Sequence, residues 1–244
     1  MIADSQPPRP VLAAGWRCWQ TPKSFLVWLP KTAMIQSTQE TVVFVHGLYM
    51  TGLEMALLRR RVSQAGFDTH QFHYHTVLES VDANAKHLAD YITKLDASTV
   101  HLVGHSLGGM VILRMFESGV RIPPGRVVLM GSPVRGSMAA RNLTQKNWGW
   151  LLGQSGPDGL ADTHDPVWDQ SRELGVFIGT GGTGFGLPRP ELTGVHDGVV
   201  TAEETQLPGA TDQIALPVHH TSMLFQPEVA EQVIQFLKQG RFKH

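Results

Sequence analysis

The sequence is short of everything that would mark a cross-linked, fibrous or membrane-spanning chain. Among 244 residues there is one cysteine, Cys18, so neither an intrachain disulfide framework nor a multi-cysteine metal site can form. There is no excess of either charge: 20 Lys plus Arg stand against 21 Asp plus Glu, a net of -1. Without a basic footprint, neither nucleic acid nor an anionic membrane surface is an expected partner. No apolar run approaches the ~20 residues that span a bilayer, so no stable membrane insertion is expected. Charged residues make up only 17% and apolar ones 42%, which excludes a disordered tail or a coiled coil. Nor does the N-terminus read as a secretory signal. The start lacks a basic cluster, prolines stand at Pro7, Pro8 and Pro10, and the apolar stretch 25–29 falls short of the ~7–15-residue core of such signals. The expectation is a cytoplasmic protein. Oligomeric state is left open.

The patterning separates a weakly patterned arm, residues 1–40, from a domain over residues 41–240. Val42 to Val45 is a continuous apolar run of strand length, as in a parallel strand covered on both faces. Thr51 and Glu54 have capping-box spacing and predict a helix with Leu53, Ala56 and Leu57 on its apolar stripe, stopped by Gly66. A second strand is expected over 67–74. Residues 80–95 read as a helix, with Val81, Ala85, Leu88, Ile92 and Leu95 on one face. A strand over 100–103 leads into a helix over 107–117 that is apolar nearly all round. Further strands are expected at 126–130, 176–178 and 213–216, and a last helix opens at Pro227 with Val229, Val233, Phe236 and Leu237 inward. Strand and helix alternate, which predicts an α/β fold: a mostly parallel doubly wound sheet with helices on both faces. Residues 137–170, which carry Trp148, Trp150, Leu151, Leu152 and Trp168, break the alternation and read as a short lid-like insertion.

The strongest local signal is Gly104-His105-Ser106-Leu107-Gly108-Gly109, placed between a strand and a buried helix. A serine at so tight a turn is lifted above the sheet, and the glycines leave room around it. The helix start aims N–H groups and a positive dipole end at the same place, so an oxyanion beside Ser106 meets the N–H of Leu107. A serine hydroxyl needs a general base and a third group to orient that base. After Ser106 the histidines are His164, His196, His219, His220 and His244; the acids include Asp197, in an Asp-Gly turn, and Asp212, which abuts the N-terminal end of the last strand.

Over residues 42–237 the chain resembles the α/β-hydrolase superfamily, in particular small bacterial lipase- and esterase-like serine hydrolases. Three motifs carry the resemblance: Val45-His46-Gly47-Leu48, the Ser106 motif, and Asp197-Gly198-Val199-Val200 followed by His220. It implies an α/β-hydrolase fold with Ser106, Asp197 and His220 as the triad in family order. It also implies that the Leu48 N–H joins Leu107 in the oxyanion hole, with the His46 side chain structural. His220-Thr221-Ser222-Met223-Leu224 resembles the family's base loop, with His219 at its outer flank. The expected activity is cleavage of a small-molecule or lipid carboxylic ester through an acyl-enzyme on Ser106, without a cofactor or metal. Tyr49, Trp148, Trp150 and Leu151 are the candidates to line the substrate pocket.

Rival readings remain. The same triad would serve an acyltransferase or a thioesterase, and a hydrolase fold that only binds is another class of answer. Gly179-Thr180-Gly181-Gly182-Thr183-Gly184 matches a dinucleotide glycine pattern, but Pro188 and Pro190 stop the helix that such a site needs. Residues 47–52 have phosphate-loop glycine spacing, with Leu53 where lysine is required. Among 12 histidines only His73 and His75 could share a strand face, and no carboxylate cluster accompanies them.

Overall fold

The structure, a computed structural model, describes residues 39–244 apart from 163–164, 170 and 183–191. The stretch 25–29, His164 and Pro188–Pro190 therefore lie outside the described residues. Six parallel strands form one sheet in the order β2-β1-β3-β4-β5-β6: β1 (Thr41–Val45), β2 (Asp68–Phe72), β3 (Val100–His105), β4 (Val127–Met130), β5 (Leu174–Gly179) and β6 (Asp212–Leu216). Every residue of β1, β3, β4 and β5 is buried. This is the physical meaning of their unalternating apolar runs: both faces are covered.

The covering helices fall into two layers. On one face α2 (Val81–Thr93) and α3 (Leu107–Glu117) pack against Val43, Val45, Leu102 and Val176. On the other, α1 (Ala56–Gln64) and α5 (Pro227–Gln239) pack against Val42, Phe44, Val103 and Phe177. Ser80 caps α2 by accepting the Ala83 N–H. Val229, Val233, Phe236 and Leu237 are buried along α5, as the spacing predicts.

The helix after β1 departs from expectation. Thr51 does not cap it. Glu54 instead accepts the N–H groups of Thr51 and Gly52, and one 3-10 turn (Leu53–Met55) precedes α1. This shifts the buried stripe to Met55, Leu58 and Val62, and leaves Leu53 77% exposed. Gly66, at φ 105°, follows the end of α1.

Between β4 and β5 lie α4 (Met138–Gln145) and short turns over Gly149–Ser155 and Gly156–Leu160. The insertion is fastened to the loop after β2: the Gln154 N–H donates to the Val77 carbonyl, and the Ser155 hydroxyl to that of Thr76. Trp168 is not part of an exposed wall. It packs edge-on against Phe116 of α3, and its ring N–H donates to the Arg172 carbonyl.

Candidate active site

In a parallel sheet every strand carries its C-terminal end to the same edge, and ligands bind where the strand order reverses. Here that edge gathers the loop after β1, the turn after β3, Gly131 after β4, the Asp197 loop between β5 and β6, and the segment after β6.

Ser106 joins β3 directly to α3 at φ 54°, ψ -123°. This is a region that L-residues avoid, and such strain persists only where the surroundings enforce it. Ser106 N–H donates to the Met130 carbonyl at 2.9 Å, and its own carbonyl accepts the Gly109 N–H. Ser106 is half-buried while the residues on either side are buried. The flanking glycines do more than leave room for the hydroxyl. A Cβ on Gly108 would lie 2.1 Å from the Val45 carbonyl oxygen, so this glycine lets the start of α3 press against the end of β1. Leu107 opens α3, where the first-turn N–H groups have no acceptor within the helix.

The loop after β1 lies against this turn. A Cβ on Gly47 would come within 3.1 Å of both Ser106 Cβ and His105 Nδ1. Met50 N–H closes on the Gly47 carbonyl at 3.2 Å, leaving Leu48 at the bend. His46 fills the structural role expected of it. Its Nδ1–H donates to the Gly47 carbonyl, its ring stacks on Tyr74, and the Tyr74 hydroxyl donates to the His46 carbonyl. Burial holds its imidazolium pKa below the usual histidine value.

Asp197 and His220 are 1% and 7% exposed. His220 Nδ1–H donates to Asp197 Oδ2 at 2.7 Å. The other carboxylate oxygen accepts the Val199 and Val200 N–H groups at 2.9 and 2.7 Å. Burial works against the Asp197 charge. The His220 ring and these hydrogen bonds outweigh it and hold the carboxyl below its ordinary value. An imidazole held in this way presents Nε2 as an acceptor, as a general base must. His220 makes its described hydrogen bonds through Nδ1 and its main chain, and none joins it to the Ser106 hydroxyl.

Asp212 stands at the opposite end of β6, tied to the Phe242 N–H and His244. The His196 ring accepts the Gly198 N–H, and His219 is half-buried. Of the pocket candidates, Tyr49 donates through its hydroxyl to the Leu151 carbonyl, which joins the loop after β1 to the insertion. Trp148 and Trp150 are 59% and 76% exposed. Among the described residues, no three His, Cys, Asp or Glu side chains are placed to hold a metal ion, and no helix is long and apolar enough to cross a membrane.

Two contributors escaped the sequence reading. Gly131, at φ 55°, sits where a Cβ would be 3.1 Å from Asp197 Oδ2 and 3.2 Å from His220 Nδ1. The His105 Nε2–H donates to the His220 carbonyl at 3.0 Å. The glycine after β4 and the histidine before the serine were the only signals, and neither has meaning until the sheet order is known.

Comparison with solved structures places this arrangement among known folds. The mature Bacillus licheniformis lipase BlEst2 aligns with a TM-score of 0.64 at 23% identity, over 84% of this chain and 93% of that one. A Paleococcus ferrophilus monoacylglycerol lipase aligns with a TM-score of 0.58 at 18% identity, over 82% and 94%. The RedJ thioesterase of Streptomyces coelicolor aligns at 0.55 and 13% identity, over 82% and 85%. Likeness at this identity establishes the fold alone. No curated protein matches the sequence. The model described as the alpha/beta hydrolase family matches residues 42–228.

Proposed function

The chain belongs to the alpha/beta hydrolase family, and on that premise we propose that it is a serine hydrolase of carboxylic esters, with Ser106 as nucleophile, His220 as base and Asp197 as the acid that orients it. The observation that carries this reading is the buried Asp197–His220 pair at 2.7 Å, held at the same sheet edge as a serine in strained backbone.

Ser106 Oγ attacks the ester carbonyl carbon while His220 Nε2 takes its proton. Asp197 keeps the proton on Nδ1 and balances the imidazolium charge. The carbonyl oxygen becomes an oxyanion facing the N–H groups of Leu48 and Leu107, and one such donor contributes roughly 3–4 kcal/mol to the transition state. Collapse breaks the bond to the alcohol, which leaves with the proton from His220. Water then attacks the acyl group on Ser106, again giving its proton to His220; collapse breaks the bond to Ser106 Oγ, which takes that proton back from His220, and the carboxylic acid departs. Tyr49, Trp148, Trp150 and Leu151 would wall the acyl or alcohol side as apolar surface. Thioesters pass through the same acyl-enzyme; one structure of similar fold is named a thioesterase.

The test is a chain-length panel of chromogenic esters, with matching thioesters and added acceptor alcohols, run on the wild type and on Ser106→Ala. Turnover that depends on Ser106 is expected. A wild type that turns over no ester, thioester or amide overturns the reading in favour of a binding module.

A further inference from the structure

The buried histidine next to the nucleophile has no part in the proton transfers above, yet it touches His220 and borders the loop after β1. His105 is the last residue of β3 and is fully buried. Its Nε2 lies 3.0 Å from the His220 carbonyl oxygen. A carbonyl only accepts, so Nε2 carries the proton and Nδ1 is bare. That Nδ1 is buried with no partner among the described residues, and it faces Gly47 of the loop after β1. The His105 and His220 rings stand 4.8 Å apart, centroid to centroid.

An unpaired buried acceptor is costly. A leucine or phenylalanine would fill the same space without one. The arrangement makes sense if the Nε2–H is needed. We propose that His105 is a positioning residue: by holding the main-chain carbonyl of His220 from a strand end fixed in the sheet, it sets the distance between the His220 ring and Ser106. The proposal rests on the reading of Ser106 and His220 given above.

Among the described residues, His220 itself is otherwise fastened through the Asp197 carboxylate and carbonyl, while the Gly181 N–H holds the Val218 carbonyl and Arg61 the Phe225 carbonyl on either side. The bonds to Asp197 fix the ring's orientation relative to it. The bond from His105 is the one that ties the base to the strand carrying the nucleophile. The titratable groups facing His105 are His220 and Asp197 from the loops beyond β5 and β6, and His46 from the loop after β1. Burial, with the neighbouring His220, holds the His105 ring neutral down to about pH 3, so the donor stays in one form over the working range.

The experiment compares wild type, His105→Leu and His105→Gln, whose amide N–H reaches roughly as far as Nε2–H. Active sites are counted with a fluorophosphonate, and kcat and KM are measured across pH. His105→Leu is expected to lose about 30–100-fold in kcat and in the labelling rate of Ser106, with KM within about threefold, because the chemistry and not binding depends on the base's reach. His105→Gln should recover to within about fivefold of wild type. A folded His105→Leu with wild-type kcat and labelling rate overturns the proposal, as does a His105→Gln no better than leucine. Should His105→Leu not fold, nitrogen-15 NMR of histidine-labelled wild type decides. A buried neutral ring protonated on Nε2 supports the proposal, and one protonated on Nδ1 overturns it. Failure of the underlying reading is distinguishable, because wild type would then not be labelled at Ser106 at all.

Discussion

Asp197 and His220 are joined twice: the ring Nδ1–H donates to the carboxylate at 2.7 Å, and the His220 main-chain N–H donates to the Asp197 carbonyl at 2.9 Å. The second bond fixes the loop so that the first is made without searching. Preorganisation of this kind lets an orienting acid act at no cost during the reaction.

Replacing Ser106 by alanine should lower kcat by at least ~10³-fold while leaving the fold intact, with residual rate supplied by the oxyanion donors. A fluorophosphonate should label Ser106 alone. Ser132 is buried against Gly109, and Ser137 is buried as the cap of α4. Mass-spectrometric labelling at either would overturn the assignment.

The adjacent histidines separate by the same assay. His220→Ala should lose ~10³-fold or more in kcat, because one member removed disables the unit. His219→Ala should keep most activity, since only His220 reaches Asp197. The reverse result would reassign the base and leave the hydrolase reading standing.

Gly131→Ala tests how little room the pair has. The new methyl would press on both Asp197 Oδ2 and His220 Nδ1, at a φ of 55° that only glycine adopts freely. A drop of about 10–100-fold in kcat is expected from displacement alone. Unchanged kcat in a folded variant would show that the pair's separation is not critical.

Stability should fall on the acid side before the carboxylates titrate. Folding depresses the His105 pKa from the ordinary 6.5 to about 3. The unfolded chain therefore binds one more proton between those values. The contribution is complete above pH 6.5 and is lost as pH falls, at up to ~1.4 kcal/mol per pH unit. Asp197, also depressed, adds a loss as pH falls below its ordinary value of 3.8. Urea midpoints measured from pH 8 to 4 should decline from about 6.5 downward, and His105→Gln should flatten that slope. A midpoint constant from pH 7 to 5 would contradict the neutral buried ring.

Trp148→Ala combined with Trp150→Ala should lower activity on longer acyl esters more than on acetate, and should barely change stability, because both side chains are exposed. Equal loss on both substrates would count against an apolar wall at the mouth.

All six strands and the main helices were expected from the sequence; β1, β3, β4 and β5 were legible because burial on both faces leaves runs such as Val42–Val45. The Ser106 turn was legible because its chemistry is local. The stripe of α1 was misread through Leu53, since a 3-10 turn advances the chain differently from an α-helix and a single such turn shifts the phase. Trp168 was grouped with Trp148 and Trp150 by proximity in sequence, while its contact with Phe116 depends on tertiary packing. Gly131 and His105 were invisible for the same reason: each acts on a residue from another strand end.

The bond between His105 and His220 spans 115 residues of chain, and its partners come from the third strand and the segment after the last. A site stitched from ends so distant has high contact order, and closing such loops precedes any reward from the contacts they bring. Catalytic competence is thus the last property a folding chain acquires. On the function proposed above, a ribosome-bound product lacking β6 has its serine turn but no base, and gains activity only once the segment after β6 has been made and has folded.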